Sequence, residues 1–180
     1  MRTRGPPISG RTCLADPDRV SRLLLAGCAV ACVSGLALSL VLQHVGGMQP
    51  CAWCVLQRGI YLLIAVVCAA GATFVRGPLG CGVSAALSAT LAATGVCAAL
   101  FHQFVAALPG GCGVTIADRF LMITRLYEHV PWLFDAPATC DLANAPLLGI
   151  PFALWSATLF TMLGVASMIA LARIMRLRAR

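Results

Sequence analysis

Apolar residues fall into four long unbroken runs, Leu23–Leu42, Gly59–Val75, Cys81–Phe101 and Phe152–Ala172, separated by stretches richer in polar residues, glycine and proline. None of the runs contains an acidic residue or a proline. A helix needs roughly 20 apolar residues to cross a bilayer core. The second run is the shortest, and Val55 and Leu56 extend it. Barrel strands are shorter and alternate in polarity, and an open sheet would leave its edge unpaired in lipid. The pattern therefore predicts an all-α membrane protein, a four-helix transmembrane bundle with spans at about 23–42, 55–75, 80–104 and 151–172. The lipid bilayer is its first partner.

Charge orients the bundle. Of 180 residues 60% are hydrophobic and 11% charged, and all thirteen basic residues are arginine. Arg2, Arg4, Arg11, Arg19 and Arg22 precede the first span, Arg76 lies between the second and third, and Arg173, Arg176, Arg178 and Arg180 follow the fourth. Four spans put these segments on one side, which the positive-inside rule makes cytoplasmic. Residues 1–22 then read as a disordered cytoplasmic tail and 173–180 as a second cytoplasmic tail. A net charge of +7 in a soluble chain would point to nucleic acid. Arginines that flank spans point to topology instead, so no nucleic-acid partner is expected. The first run exceeds the roughly 7–15 residues of a signal-peptide core, so it is read as a retained span.

Two segments face outward. The first, Gln43 to about Cys54, is short. The second, about Ala106 to Ile150, holds four of the six acidic residues and four of the ten prolines. Within it Ile116, Phe120, Ile123 and Tyr127 recur at helical spacing, which predicts a short amphipathic helix on the membrane surface or against the bundle. The turn at Arg76-Gly77-Pro78 is tight, so spans two and three are expected to pack as an antiparallel hairpin.

The ten cysteines divide by place. Cys28, Cys32, Cys68 and Cys97 lie within spans and read as small packing residues. Cys13 and Cys81 belong to the reducing side. Cys51, Cys54, Cys112 and Cys140 face the oxidising side, where thiols pair. The simplest pairing is Cys51–Cys54 and Cys112–Cys140. Both bridges could be structural staples, but a two-residue loop restricts the unfolded chain little. CxxC is the spacing of redox pairs and of half-zinc sites. A zinc site from the four outer cysteines lacks the second close pair of the usual knuckle, so no metal is expected.

Residues 50–58 read PCAWCVLQR. If a helix opens at Pro50, Cys51, Cys54 and Arg58 share one face. Helix N-terminus and guanidinium would both favour a Cys54 thiolate. An arginine at this depth is costly and marks a functional site unless it snorkels. A lipid-soluble quinone is the natural electron acceptor for a thiolate at the bilayer edge.

These features resemble the disulfide bond formation protein B (DsbB) family over about Leu23 to Ala172. The likeness rests on four spans, CAWCVLQR, a spaced cysteine pair in the second outer loop, LQHV before the first pair, FHQ after span three and LLGIPFALW after Cys140. The resemblance implies a protein-disulfide oxidoreductase of the bacterial inner membrane. It would reoxidise a periplasmic DsbA-type thiol oxidase and pass the electrons to ubiquinone or menaquinone. It makes Cys112 the cysteine attacked by the partner, and Cys140 the sulfur that carries the bond to Cys51. Cys54 is then released as the thiolate facing the quinone. Arg58 would stabilise that thiolate and the reduced quinone, and His102 would lend the quinone a hydrogen bond. Trp53 is expected at the interface, and Gly110, Gly111 and Gly113 suit a hinge. Vitamin K epoxide reductase-like proteins expect the opposite order of CxxC and loop cysteines. The remaining alternative is a four-span protein with structural disulfides or a metal site and no redox turnover.

Overall fold

The computed structural model describes residues 17–74, 78–108 and 115–179. Four helices are long and apolar enough to span a membrane. They are α1 (Pro17–His44), α2 (Ala52–Thr73), α3 (Pro78–Phe101) and α8 (Phe152–Arg178). Between α3 and α8 lie α4 (Ile116–Thr124), α5 (Leu126–His129), α6 (Pro131–Phe134), α7 (Cys140–Ala143) and a minimal hairpin of β1 (Pro146–Leu147) and β2 (Ile150–Pro151). The bundle closes as a ring, with α1 on α2 and α8, and α3 on α2 and α8.

Residue size along the helices is inverted relative to a water-soluble bundle. Val33, Leu63, Val66, Leu87, Val165 and Met168 point outward, while α3 buries Ser84, Ala85, Ser88, Ala92, Gly95, Ala98 and Ala99. Lipid solvates large aliphatic side chains as well as a protein core does. Helix association then depends on close packing of small residues and on interhelical hydrogen bonds. Both occur on the α3–α8 seam. The Ser88 and Ser167 hydroxyls lie 2.9 Å apart, and the Cys68 thiol donates to Ser88 Oγ at 3.2 Å. Gly95 leaves room for the Phe160 ring, which stacks on Tyr61 at a centroid distance of 4.0 Å. The Tyr61 hydroxyl donates to the Ser156 carbonyl at 3.1 Å, fixing α2 to α8.

The helices outrun the predicted spans. Residues 1–16 lie outside the described part, but residues 17–22, expected within a disordered tail, form the first turns of α1. Residues 173–178 likewise continue α8 rather than forming a separate tail. The reason is local: Pro17 suits a helix start, and arginine has high helix propensity. The turn at 75–77 lies outside the described residues, and Pro78 opens α3, which packs beside α2.

In the second loop, α4 covers most of the predicted amphipathic stretch. A reciprocal Thr115–Asp118 capping box starts it, and Arg125 in the left-handed region (φ 50°) stops it, leaving Tyr127 on α5. Ala117 and Leu121 pack inward while Ile116 and Ile123 stay exposed. Leu148 and Gly149 both have positive φ (54° and 80°), as the central pair of a tight hairpin of this twist requires.

Gly95→Ala would place a methyl group in the Phe160 ring and push it off Tyr61. The expected cost is about 1–3 kcal/mol, read as a lower midpoint of denaturant-induced unfolding in detergent micelles.

Candidate functional site

The site lies at the end of the bundle opposite Arg19, Arg22, Arg173, Arg176 and Arg178. Here α1 ends, α2 begins, and the second loop folds back. Helix α2 opens two residues later than expected. Cys51 is its N-cap, with extended backbone (φ −102°, ψ 175°), and its carbonyl accepts from the Val55 amide at 3.0 Å. Cys54 sits in the first turn and Arg58 one turn further on. Cys51 and Cys54 are thiols whose sulfurs are 3.5 Å apart, with Cys51 donating. A disulfide measures about 2.05 Å. The Cys51 thiol is pushed up to about 12. Contact with Cys140 acts to lower it, but the hydrogen bond to Cys54 and burial outweigh that contact.

The second loop brings a third sulfur. The Ala138 amide donates to the Pro50 carbonyl at 3.2 Å, tying the loop to the residue before Cys51. Cys140 follows as the first residue of α7, buried, with its thiol in contact with that of Cys51. His102 completes the cluster. It is fully buried, with Nε2 3.5 Å from Cys51 Sγ and 3.2 Å from the Cys140 carbonyl. It opens a π-helical turn, His102–Ala106, closed by an Ala107 amide to His102 carbonyl bond of 3.0 Å. Single π turns often re-aim side chains at functional positions.

Arg58 is buried on the other side of the sulfurs. Its Nη1 donates to Gln43 Oε1 at 2.6 Å and to the Leu133 carbonyl at 3.1 Å, and its Nη2 to the Ser39 carbonyl at 3.4 Å. All three acceptors are neutral, so among the described residues no carboxylate compensates the charge. Arg58 and Cys54 line one cavity of about 490 Å³. Its walls are mostly apolar, including Leu38, Leu42, Met48, Leu147, Phe152 and Trp155, with Gln57, Tyr61 and Ser156 as further polar groups.

Of the residues singled out in the sequence, Cys51, Cys54, Cys140, Arg58 and His102 therefore meet at one end of the bundle. Cys112, with the glycines around it, falls in 109–114, outside the described residues, and so does the Cys112–Cys140 pairing. His102 is not on the cavity wall; it lies against Cys51 and Cys140. Trp53, expected at the interface, is buried against Phe101 at a centroid distance of 4.8 Å, because the α2 helix turns it toward α3. Sequence reasoning gave no role to Gln43, which anchors Arg58, or to Asn144. The Asn144 side chain donates to Gln103 at 2.8 Å and accepts from the Ala153 amide at 3.1 Å, joining the end of α3 to the start of α8. The signals were present, since Gln43 lies in LQHV and Gln103 in FHQ.

Fold and site define a four-span membrane protein that holds a cluster of thiols beside a buried arginine. The family model described as Disulfide bond formation protein DsbB matches residues 21–170. Relatives called Disulfide bond formation protein B include one from Herminiimonas arsenicoxydans, 31% identical over 146 residues, 81% of this chain and 91% of its own. Another, from Burkholderia pseudomallei (strain K96243), is 32% identical over 156 residues, 86% and 92% of the two chains. A third, from Verminephrobacter eiseniae (strain EF01-2), is 33% identical over 162 residues, 87% and 89%. The chain belongs to the DsbB family of disulfide oxidoreductases, membrane proteins that serve disulfide bond formation.

The contact between Cys51 and Cys140 makes a geometric prediction. In a Cys54→Ser/Cys112→Ser variant, mild oxidation should join Cys51 to Cys140, seen by mass spectrometry as linked peptides. Absence of that peptide pair, with both thiols intact, would show that Cys140 does not rest against Cys51.

Proposed function

We propose that the chain reoxidises a periplasmic thiol oxidase of the DsbA type and delivers the electrons to a membrane quinone. The observation that carries this reading is the cavity shared by Cys54 and Arg58. Its volume suits a small-molecule site, and such sites are apolar with a few convergent polar groups. Gln57, on its wall, has a buried side-chain nitrogen with no partner among the described residues, an unspent donor that a ring carbonyl could engage after a small rotation. The residues present thus fit a flat, apolar ring with polar oxygens, ubiquinone or menaquinone.

The exchange runs through this chain's sulfurs by successive thiolate attacks. The partner's thiolate attacks Cys112 in a Cys112–Cys140 disulfide and Cys140 leaves. Cys140 then attacks Cys51 in a Cys51–Cys54 disulfide, and Cys54 leaves beside Arg58. The partner's second thiolate attacks the partner's own sulfur in the mixed disulfide, Cys112 leaves as the thiolate, and the partner departs oxidised. Cys112 then resolves the Cys140–Cys51 bond, restoring Cys112–Cys140 and leaving Cys51 and Cys54 reduced. A bound quinone supplies the acceptor for two electrons and two protons, which returns Cys51–Cys54 to the disulfide. Arg58, held among the described residues by neutral oxygens, keeps its charge available to a negative group in the cavity. His102, packed on Cys51 and the Cys140 carbonyl, holds the two sulfurs in register. The sulfur end then faces the periplasm and the arginine end the cytoplasm of a bacterial inner membrane.

Purified protein, given a reduced DsbA-type oxidase and quinone, should consume one quinone for each partner disulfide formed. Cys54→Ser should abolish the quinone-dependent step. Arg58→Ala should raise the KM for quinone by about tenfold or more, which corresponds to about 1.4 kcal/mol of lost interaction. Thiol oxidation that is indifferent to quinone in the unmutated protein would contradict the assignment.

A further inference from the structure

The sulfur cluster is also a set of metal ligands. Cys51 Sγ, Cys54 Sγ and a ring nitrogen of His102 all lie within 4.8 Å of one another. Two of the three separations, Cys51–Cys54 and Cys51–His102, are 3.5 Å. Tetrahedral Zn²⁺ binds sulfur at about 2.3 Å and imidazole nitrogen at about 2.0–2.1 Å, which places neighbouring donors roughly 3.5–3.8 Å apart. Two edges of the tetrahedron are therefore close to the required length before any metal arrives. The donors come from three kinds of backbone, an N-cap, a first helical turn and a π turn, each fixed by its own hydrogen bonds. Cys51 and His102 are buried, and Cys54 opens on the 490 Å³ cavity, so the set is enclosed on one side and reachable from the other.

We propose that the reduced Cys51–Cys54 pair, together with His102, is a binding site for a thiophilic divalent cation of the Zn²⁺ type. Binding exchanges two S–H bonds for two S–metal bonds. Zn²⁺, two thiols and one neutral imidazole give a complex of zero net charge and release two protons to the outer solvent; no electron moves. Neutrality matters because an isolated charge at this depth is costly, whereas two thiolates cancel the ion. Metal at Nε2 puts the ring proton on Nδ1, a buried atom with no other partner among the described residues, and replaces the Nε2 contact with the Cys140 carbonyl. The fourth position falls to water, which keeps the complex neutral.

The site exists only in the reduced chain, since a Cys51–Cys54 disulfide has no thiolate to give. Metal binding and disulfide formation at this pair therefore exclude each other, whatever the electron acceptor is. An occupied site would hold the pair reduced and stop turnover.

The test uses the full chain in detergent, reduced and freed of reductant, incubated with Zn²⁺ and desalted. Bound metal is counted by elemental analysis and free thiols by maleimide labelling. The reduced chain should retain one equivalent, with Cys51 and Cys54 both protected. The chain oxidised with diamide, an unsubstituted control that removes any concern about misfolding, should retain little. Cd²⁺ in place of Zn²⁺ should add a thiolate-to-metal charge-transfer band. His102→Ala should weaken binding by about tenfold or more, while Cys28→Ser/Cys68→Ser should leave the equivalent in place. Failure of the reduced chain to retain metal would overturn the proposal. So would equal retention by a Cys51→Ser/Cys54→Ser variant, which would assign the metal to other thiols. An unchanged affinity in His102→Ala would remove the histidine from the site.

Discussion

A positive charge buried without a negative partner among the described residues organises this end of the molecule. Arg58 is 6% exposed, and its three hydrogen bonds go to a side-chain amide and two carbonyls. Neutral oxygens hold the guanidinium in place but leave its field unbalanced, and in a low-dielectric setting that field reaches whatever enters the cavity. Removing a buried charge's partners is costly, so the groups that anchor it are structural necessities. They come from three separate segments: Ser39 and Gln43 on α1, and Leu133 on α6 in the second loop. One side chain thereby ties the end of α1, the start of α2 and the loop to each other.

The sulfur cluster is built on that frame. The loop that reaches Arg58 through Leu133 reaches Pro50 through Ala138, then delivers Cys140 onto Cys51. The π turn sets His102 against both, and Asn144 locks the loop's exit to α3 and α8. Farther down, the bundle needs no such network. Small residues on α3 and the Ser88–Ser167 contact let the helices approach closely, and large side chains are left to the lipid. Rigidity in the shaft and polar ties at one end leave the sulfurs at a fixed place beside the cavity.

Much of this was legible in the chain. Uninterrupted apolar runs announce the four helices because lipid tolerates no unpaired backbone, and CxxC followed by Arg58 marks the site because an arginine there needs a reason. Helix ends were less legible: α1 and α8 run on through arginines that read as tails, since helix propensity does not stop where hydropathy does. The side to which His102 turns depends on a π turn that leaves no sequence pattern. Gln43 and Asn144 act through contacts 15 and 41 residues away, and polar side chains reveal such partners only once the chain is folded. Closeness of Cys140 to Cys51 is likewise tertiary, set by ties such as the Ala138–Pro50 backbone bond and the His102 contact with the Cys140 carbonyl.

On the proposed function, the cavity beside Arg58 holds the electron acceptor. A photoreactive azidoquinone added to the purified protein tests it directly. Label should fall on the walls formed by Leu42, Met48, Leu147 and Trp155, and excess unmodified quinone should displace it. Label confined to the lipid-facing side of α3, at Val83 or Leu87, and not displaced by quinone would contradict it.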